Sequence, residues 1–133
     1  MMTSDERKAL AIKFIDNFSR RDPTVFADNV TDDFVFEIMG HLPGLEPLRG
    51  KDKFLSAFIP MLEGAFPKGF NFKFVTAICE GQHVAIQGTS DTTAANGRKY
   101  ANRYHWYVRF EGDKIAQLRE YADTDHIRQT LGD

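Results

Sequence analysis

One carboxylate stands out by its neighbours. In the stretch Asn102 to Asp123, NRYHWYVRFEGDKIAQLREYAD, alternation puts Ala116, Leu118, Glu120 and Ala122 on one face of a strand. An acid among apolar side chains has two functional outcomes. Desolvation raises its pKa and makes it an acid or base usable near neutral pH. Alternatively, hydrogen bonds from neighbours hold it charged, as an acceptor that anchors a ligand. A structural ion pair with Arg98 or Arg103 is the third reading, and parity turns Arg103 to the opposite face. Glu120 is therefore the candidate catalytic residue.

On the preceding strand the parity facing the same way is Asn102, Tyr104 and Trp106. Amide, phenol and indole all carry donors, and the two rings have the apolar bodies that suit a pocket wall. Asn102 and Tyr104 are the expected orienters of Glu120. Trp106 is expected either to donate a bond or to narrow the cavity. No other constellation competes. The chain lacks Cys-x-x-Cys, His-Glu-x-x-His and Gly-x-Ser-x-Gly. Gly44 to Gly50-Lys51-Asp52 is one residue too long for a phosphate loop and puts Asp where Ser or Thr belongs. His41, His83, His105 and His126 show no helical metal spacing. We expect no metal and no cofactor.

The elements that must position these residues follow from local signals. Thr3-Ser4-Asp5-Glu6 has capping-box spacing, and Leu10, Ala11, Phe14, Ile15 and Phe18 form a helical apolar stripe ending before Arg20. Asp22-Pro23 opens a short helix to about Val30. Phe34, Phe36 and Ile38 alternate as a strand. Gly40 to Gly50, GHLPGLEPLRG, is a loop long enough to cover something. Lys51 to about Glu63 is a helix with Phe54, Phe58 and Met61 inward, and Pro60 should kink or end it. Strands are expected over Phe70–Ile78, His83–Thr92, Lys99–Glu111 and Lys114–Asp123, with a short final helix from Thr124 to Leu131. The outcome is an α+β fold, with three N-terminal helices packed on a strongly curved, mostly antiparallel sheet. The curvature leaves a cone whose open end is a pocket.

The 133 residues and 15.2 kDa point to one domain spanning 1–133. Net charge is −2, and no basic run exceeds Arg20-Arg21, which argues against a nucleic-acid partner. No stretch reaches the ~18 apolar residues of a membrane span. MMTSDERK has no apolar signal core, and Cys79 stands alone, so a cytoplasmic location is expected.

Three stretches carry a family resemblance: DPTVFADNVTDDFVFEI (Asp22 to Ile38), the Gly50-Lys51 helix start, and EGDKIAQLREYAD (Glu111 to Asp123). With the element order they resemble the cone-shaped NTF2-like (cystatin-like) fold of nuclear transport factor 2. That superfamily includes ketosteroid isomerases, limonene epoxide hydrolases, scytalone dehydratase and SnoaL-like polyketide cyclases. Against the isomerase pattern, the oxyanion-donating tyrosine falls on Phe14, the catalytic base on Ile38 and the second acid on Trp106. Phe and Ile can neither shuttle a proton nor donate a hydrogen bond, so steroid isomerisation by that route is not expected. Against the epoxide hydrolases, Glu120 falls on one acid, but Gln87-Gly88-Thr89-Ser90-Asp91 lacks the arginine.

The resemblance places Asn102, Tyr104, Trp106, Leu118 and Glu120 inside the cone. Phe14, Phe36, Ile38, Phe58 and Met61 are expected as core or pocket floor, and His41 at the lip. The outward parity carries Arg103, His105, Tyr107, Arg109, Gln117, Arg119 and Tyr121, an aromatic- and Arg-rich face suited to a homodimer. Three functions remain open. The first is a cofactor-free SnoaL-like isomerase, cyclase or lyase moving a proton at Glu120 on a small apolar, oxygenated ligand. The second is a binding module without chemistry. The third is a dimeric interaction domain with a filled cavity.

Overall fold

A computed structural model of the protein describes residues 1–132. Helix α1, Ser4–Arg20, starts at a capping box: Thr3 Oγ1 accepts from the Glu6 amide, and Glu6 Oε1 accepts from the Thr3 amide. Arg21 ends it in the left-handed region at φ 62°. Asp22 caps α2, Pro23–Asp28, and Asn29 Nδ2 donates to the Val25 carbonyl at its end. Strand β1, Val30–Ile38, therefore begins at Val30, where the pattern suggested helix. Strand β2, Leu48–Arg49, leads into α3, Lys51–Ala65. Helix α3 does not end at Pro60, one of the two expected outcomes, but runs on to Ala65. Ser56 and Pro60 both lie exposed, so water can satisfy the carbonyl that the missing N–H leaves free.

Strands β3 (Lys73–Glu80), β4 (His83–Thr89), β7 (Arg103–Glu111) and β8 (Lys114–Ala122) join β1 and β2 in one sheet, ordered β2-β1-β8-β7-β4-β3. Among the described residues only the β1–β8 pair is parallel. Helix α4, Thr124–Leu131, closes the chain. The fold is α+β, with a curved, mostly antiparallel sheet and four helices among the described residues. The expected set of three N-terminal helices is not the observed arrangement. Two helices precede β1, a third follows β2, and a fourth packs at the end.

Both expected long strands are broken. A two-stranded arm, β5 (Thr92–Thr93) and β6 (Lys99–Tyr100), branches off between β4 and β7. The branch is tied at its root: the Ser90 amide donates to the Asn102 carbonyl at 3.0 Å, and the Asn102 amide donates to Ser90 Oγ at 3.1 Å. The start of β3 also moves, from Phe70 to Lys73. Asn71 sits at φ 53°, which takes Phe70 and Phe72 out of strand geometry.

Phe14, Phe26, Phe34, Phe54 and Phe58 form the middle of the core between α1, α2, α3 and β1, most of them meeting edge to face. A second cluster fills the far end of the cone. There Trp106, fully buried, stacks on Tyr104 at 4.6 Å and meets Phe72 edge to face at 5.4 Å. Gly88 makes room for it, since a Cβ there would lie 3.0 Å from Trp106 Cζ3 and 2.6 Å from the Lys73 carbonyl oxygen. The second contact is backbone and cannot yield cheaply. Gly88→Ala should therefore lower stability by about 2 kcal/mol or more. Urea denaturation is the check, and an unchanged midpoint would show that the β3–β4 spacing is not limited by this contact.

Candidate functional site

Glu120 lies near the end of β8, between β1 and β7. Ile38 is its register partner on β1 and Trp106 its partner on β7. The Glu120 carbonyl accepts from the Met39 amide at 2.8 Å, which fixes the strand at this point. The side chain points inward and is 7% exposed. Trp106 Nε1 donates to Glu120 Oε1 at 3.0 Å. Oε2 accepts no hydrogen bond from any described residue. A carboxylate held charged in an apolar interior usually takes two or three donors. With one, burial dominates, and the Glu120 pKa is pushed up to about 7, against a smaller lowering from the Trp106 bond.

Glu120 borders a narrow chamber of about 50 Å³. Its walls are mainly apolar: Phe36, Ile38, Phe58, Met61, Phe66 and Ile127 among them, with Tyr100 and Tyr104 as the other polar side chains. A water molecule needs about 10–15 Å³ of cavity volume, so the chamber has room for a small group of a few heavy atoms. Next to it lies a wider cleft of about 310 Å³ under the loop between β1 and β2, with Glu46 and Lys53 on its wall. The two share Phe36, Ile38, Leu45, Phe58 and Met61 as common walls. A group that reaches Glu120 through the chamber can therefore be only small.

The structure brings together Glu120, Tyr104, Phe36, Ile38, Phe58 and Met61 around the chamber. It does not bring the other named residues there. Phe14 is locked in the phenylalanine core, and Leu118 is fully buried with no face on the chamber or the cleft. His41 is exposed on its loop and borders neither space. Trp106 lies behind Glu120 and fills the cone rather than walling it.

Asn102 is buried, but its amide serves the backbone. Nδ2 donates to Tyr100 Oη and to the Asp123 carbonyl, while Oδ1 accepts from the amides of Arg103 and Asp123. All four hydrogen-bonding positions are occupied, so it cannot orient Glu120. Arg98 is no partner for Glu120 either: its guanidinium donates to the carbonyls of Gln129, Thr130 and Gly132 at the end of α4. Asp123 caps α4, accepting from the His126 amide. Among the described residues no three His, Cys, Asp or Glu side chains gather as a metal-binding group.

The pattern missed Tyr100, Leu45, Phe66 and Ile127 as walls. Tyr100 shares the even parity of Asn102 and Tyr104, and that signal was available. The helix α4 contribution was not, because nothing in its sequence says which way it folds back.

The chain matches the SnoaL-like domain model over residues 11–118. It belongs to the SnoaL-like domain family. Solved structures agree with this fold at low sequence identity. An NTF2-like protein of unknown function from Burkholderia pseudomallei is 18% identical, with a TM-score of 0.83 over 96% of this chain and 98% of that one. A protein from Jannaschia provisionally named a SnoaL-like polyketide cyclase is 11% identical, with a TM-score of 0.81 over 97% and 93%. An epoxide hydrolase of the limonene type from Mycobacterium tuberculosis is 16% identical, with a TM-score of 0.74 over 96% and 90%. No curated protein matches the sequence. No described helix is long and apolar enough to cross a membrane.

The raised pKa of Glu120 has a consequence for stability. The folded state holds its proton up to about pH 7, whereas an unfolded glutamate releases it near 4.5. Below the unfolded value both states are protonated and nothing is lost. Stability then falls as pH rises from about 4.5 to 7, because the unfolded chain ionises first. Glu120→Gln keeps an acceptor for Trp106 and removes this loss. The variant should match the wild type at pH 4 and exceed it at pH 8 by about 3 kcal/mol, read by urea denaturation. A difference that does not vary with pH would mean the carboxyl titrates normally.

Proposed function

We propose that this SnoaL-like protein binds a small apolar, oxygenated ligand. The ligand's body lies in the cleft under the β1–β2 loop and its head in the chamber. Glu120 acts there as acid–base catalyst in an isomerase, cyclase or lyase reaction without a cofactor. One observation carries this reading: a buried carboxyl at a chamber wall, with one oxygen held by Trp106 and the other without a protein donor, an environment that pushes its pKa up to about 7. A group whose pKa lies near the working pH is the most effective proton shuttle. The apolar walls disfavour water as a competing proton source.

The bicyclic ketone 2-indanone is a suitable probe, since its acidic C–H bonds flank a carbonyl. In deuterated water the protein should accelerate exchange of those protons. The rate should climb with pH until about 7 and then level, because the base is the ionised form. Glu120→Gln should reduce the catalysed exchange by about 10²–10⁴-fold. Exchange untouched by that substitution would remove Glu120 from the reaction.

A second reading, a dimeric module, is favoured by the outer face of the sheet. One cross-strand row there reads Ile78, Ala85, Tyr107, Arg119 and Glu37. Ile78 is 63% and Tyr121 42% exposed. A second copy of the chain is the occupant that suits this face. Arg119 and Glu37, 3.8 Å apart, can exchange partners across a two-fold axis. Sedimentation of the wild type should give about twice 15.2 kDa, and Ile78→Glu with Tyr121→Glu should give a monomer. A monomeric wild type at micromolar concentration would count against the dimer while leaving the pocket reading intact.

A further inference from the structure

The hydroxyl groups near the chamber form a chain whose direction can be deduced. Ser90 Oγ accepts from the Asn102 amide at 3.1 Å and lies 2.9 Å from Tyr104 Oη. Tyr104 Oη lies 3.1 Å from Tyr100 Oη, and Asn102 Nδ2 donates to Tyr100 Oη at 3.0 Å. The geometry has Tyr104 Oη donating to Tyr100 Oη, which rules out an arrangement with Ser90 and Tyr100 both donating to Tyr104, and the reverse direction fails on its own account. If Tyr100 donated to Tyr104 and Tyr104 to Ser90, the Ser90 hydrogen would be left without an acceptor at a site only 3% exposed. If Ser90 donates to Tyr104 and Tyr104 to Tyr100, every internal hydrogen is used. Only the Tyr100 hydrogen then remains.

That hydrogen has no acceptor within the described protein. Tyr100 borders the chamber, as does Glu120, and no hydrogen bond joins the two. The Tyr100 ring is fixed on both sides: His126 stacks on it at 5.3 Å with planes 2° apart, and Phe66 packs at 4.8 Å. Burial keeps the phenol protonated, its pKa pushed up to about 12. Accepting two hydrogen bonds also polarises the O–H it has left.

We propose that Tyr100 is a catalytic residue whose hydroxyl donates to the ligand's carbonyl oxygen, with Ser90, Tyr104 and Asn102 as the positioning residues that aim it. The ligand class follows: a ketone or similar carbonyl compound with a C–H beside the carbonyl, oxygen towards Tyr100 and carbon acid towards Glu120. The chemistry is a proton transfer only. Glu120 takes the proton as the C–H electron pair moves to oxygen, Tyr100 stabilises the resulting enolate by its hydrogen bond, and the proton returns to a carbon of the ligand. This deepens the proposed function and rests on it.

Carbon-13-carbonyl 2-indanone, with the hydrocarbon indane as its oxygen-free control, tests the assignment. Bound to wild type, the carbonyl infrared band should fall below its value in an apolar solvent. In Tyr100→Phe the band should return towards that value, and 2-indanone should bind roughly five- to tenfold more weakly while indane binding is unchanged. Tyr104→Phe loses a buried hydroxyl that aims Tyr100 but leaves Tyr100 Oη in place with its Asn102 donor, so its band should lie between those of wild type and Tyr100→Phe. A purely structural role would make the two variants alike. Glu120→Gln should keep the shift and lose proton exchange, which separates this assignment from the one on Glu120.

If the band is the same in wild type and Tyr100→Phe, the Tyr100 assignment is wrong, and indane binding then shows whether the pocket survives it. Absence of saturable 2-indanone binding to the wild type overturns the assignment as well. Should Tyr100→Phe fail to fold, nuclear Overhauser contacts between the Tyr100 ring and bound 2-indanone in the wild type decide: contacts support the placement, and their absence rejects it.

Discussion

The site depends on a single hydrogen bond across the β7–β8 ladder, from the indole of Trp106 to the carboxyl of Glu120. One donor can orient a carboxylate but does not replace the water lost on burial. The group is left close to the balance between its two protonation states. A second donor would have fixed it as a charged anchor. No donor would have left it a neutral, poorly oriented acid. The bond in turn needs Trp106 where it is, and that position needs the space at Gly88 and the aromatic faces of Tyr104, Phe72 and Phe74.

The cone is consequently divided. Its far end is filled with rings, and its near end keeps a narrow chamber opening towards a wider cleft. The wall facing the cleft comes from β1 and α3. The opposite wall comes from α4, carrying Ile127 and Leu131. A helix of eight residues has little stability of its own. It is held at its start by Asp123 and at its end by Arg98 and Asn96 of the β5–β6 arm, which donate to its last carbonyls. Asn102 ties the arm's root to the backbone of Asp123. The arm is thus part of the pocket's construction, although only Tyr100 from it borders the chamber.

How much of this was legible in the sequence differs residue by residue. Strand alternation placed Glu120 and Tyr104 on the inner face because the β7–β8 pairing is local, joined by a two-residue turn at Gly112-Asp113. The same alternation carried Asn102 and Trp106 inward but could not give their roles. Asn102 stands where the strand breaks, so its amide meets backbone groups instead of the carboxyl. Tyr100 lies beyond that break, yet it keeps the even parity of Asn102 and Tyr104 and borders the chamber. Phe14 and Leu118 are inward by pattern, yet a pattern cannot separate the solid part of a core from its hollow part. His41 sits in a loop with no periodicity to read. Leu45, from the same loop, borders both the chamber and the cleft. The family resemblance was carried by short stretches around turns and helix starts, where glycine, proline and capping residues constrain the backbone most.

The central claim is that burial with one hydrogen bond holds the Glu120 carboxyl near neutrality. Carbon-13 NMR of the glutamate side-chain carboxyls, with Glu120→Gln used to assign its resonance, measures this directly. A titration midpoint near 7 is the predicted result. A midpoint at the ordinary value near 4.5, with the Trp106 indole proton resonance unchanged through the titration, would contradict it.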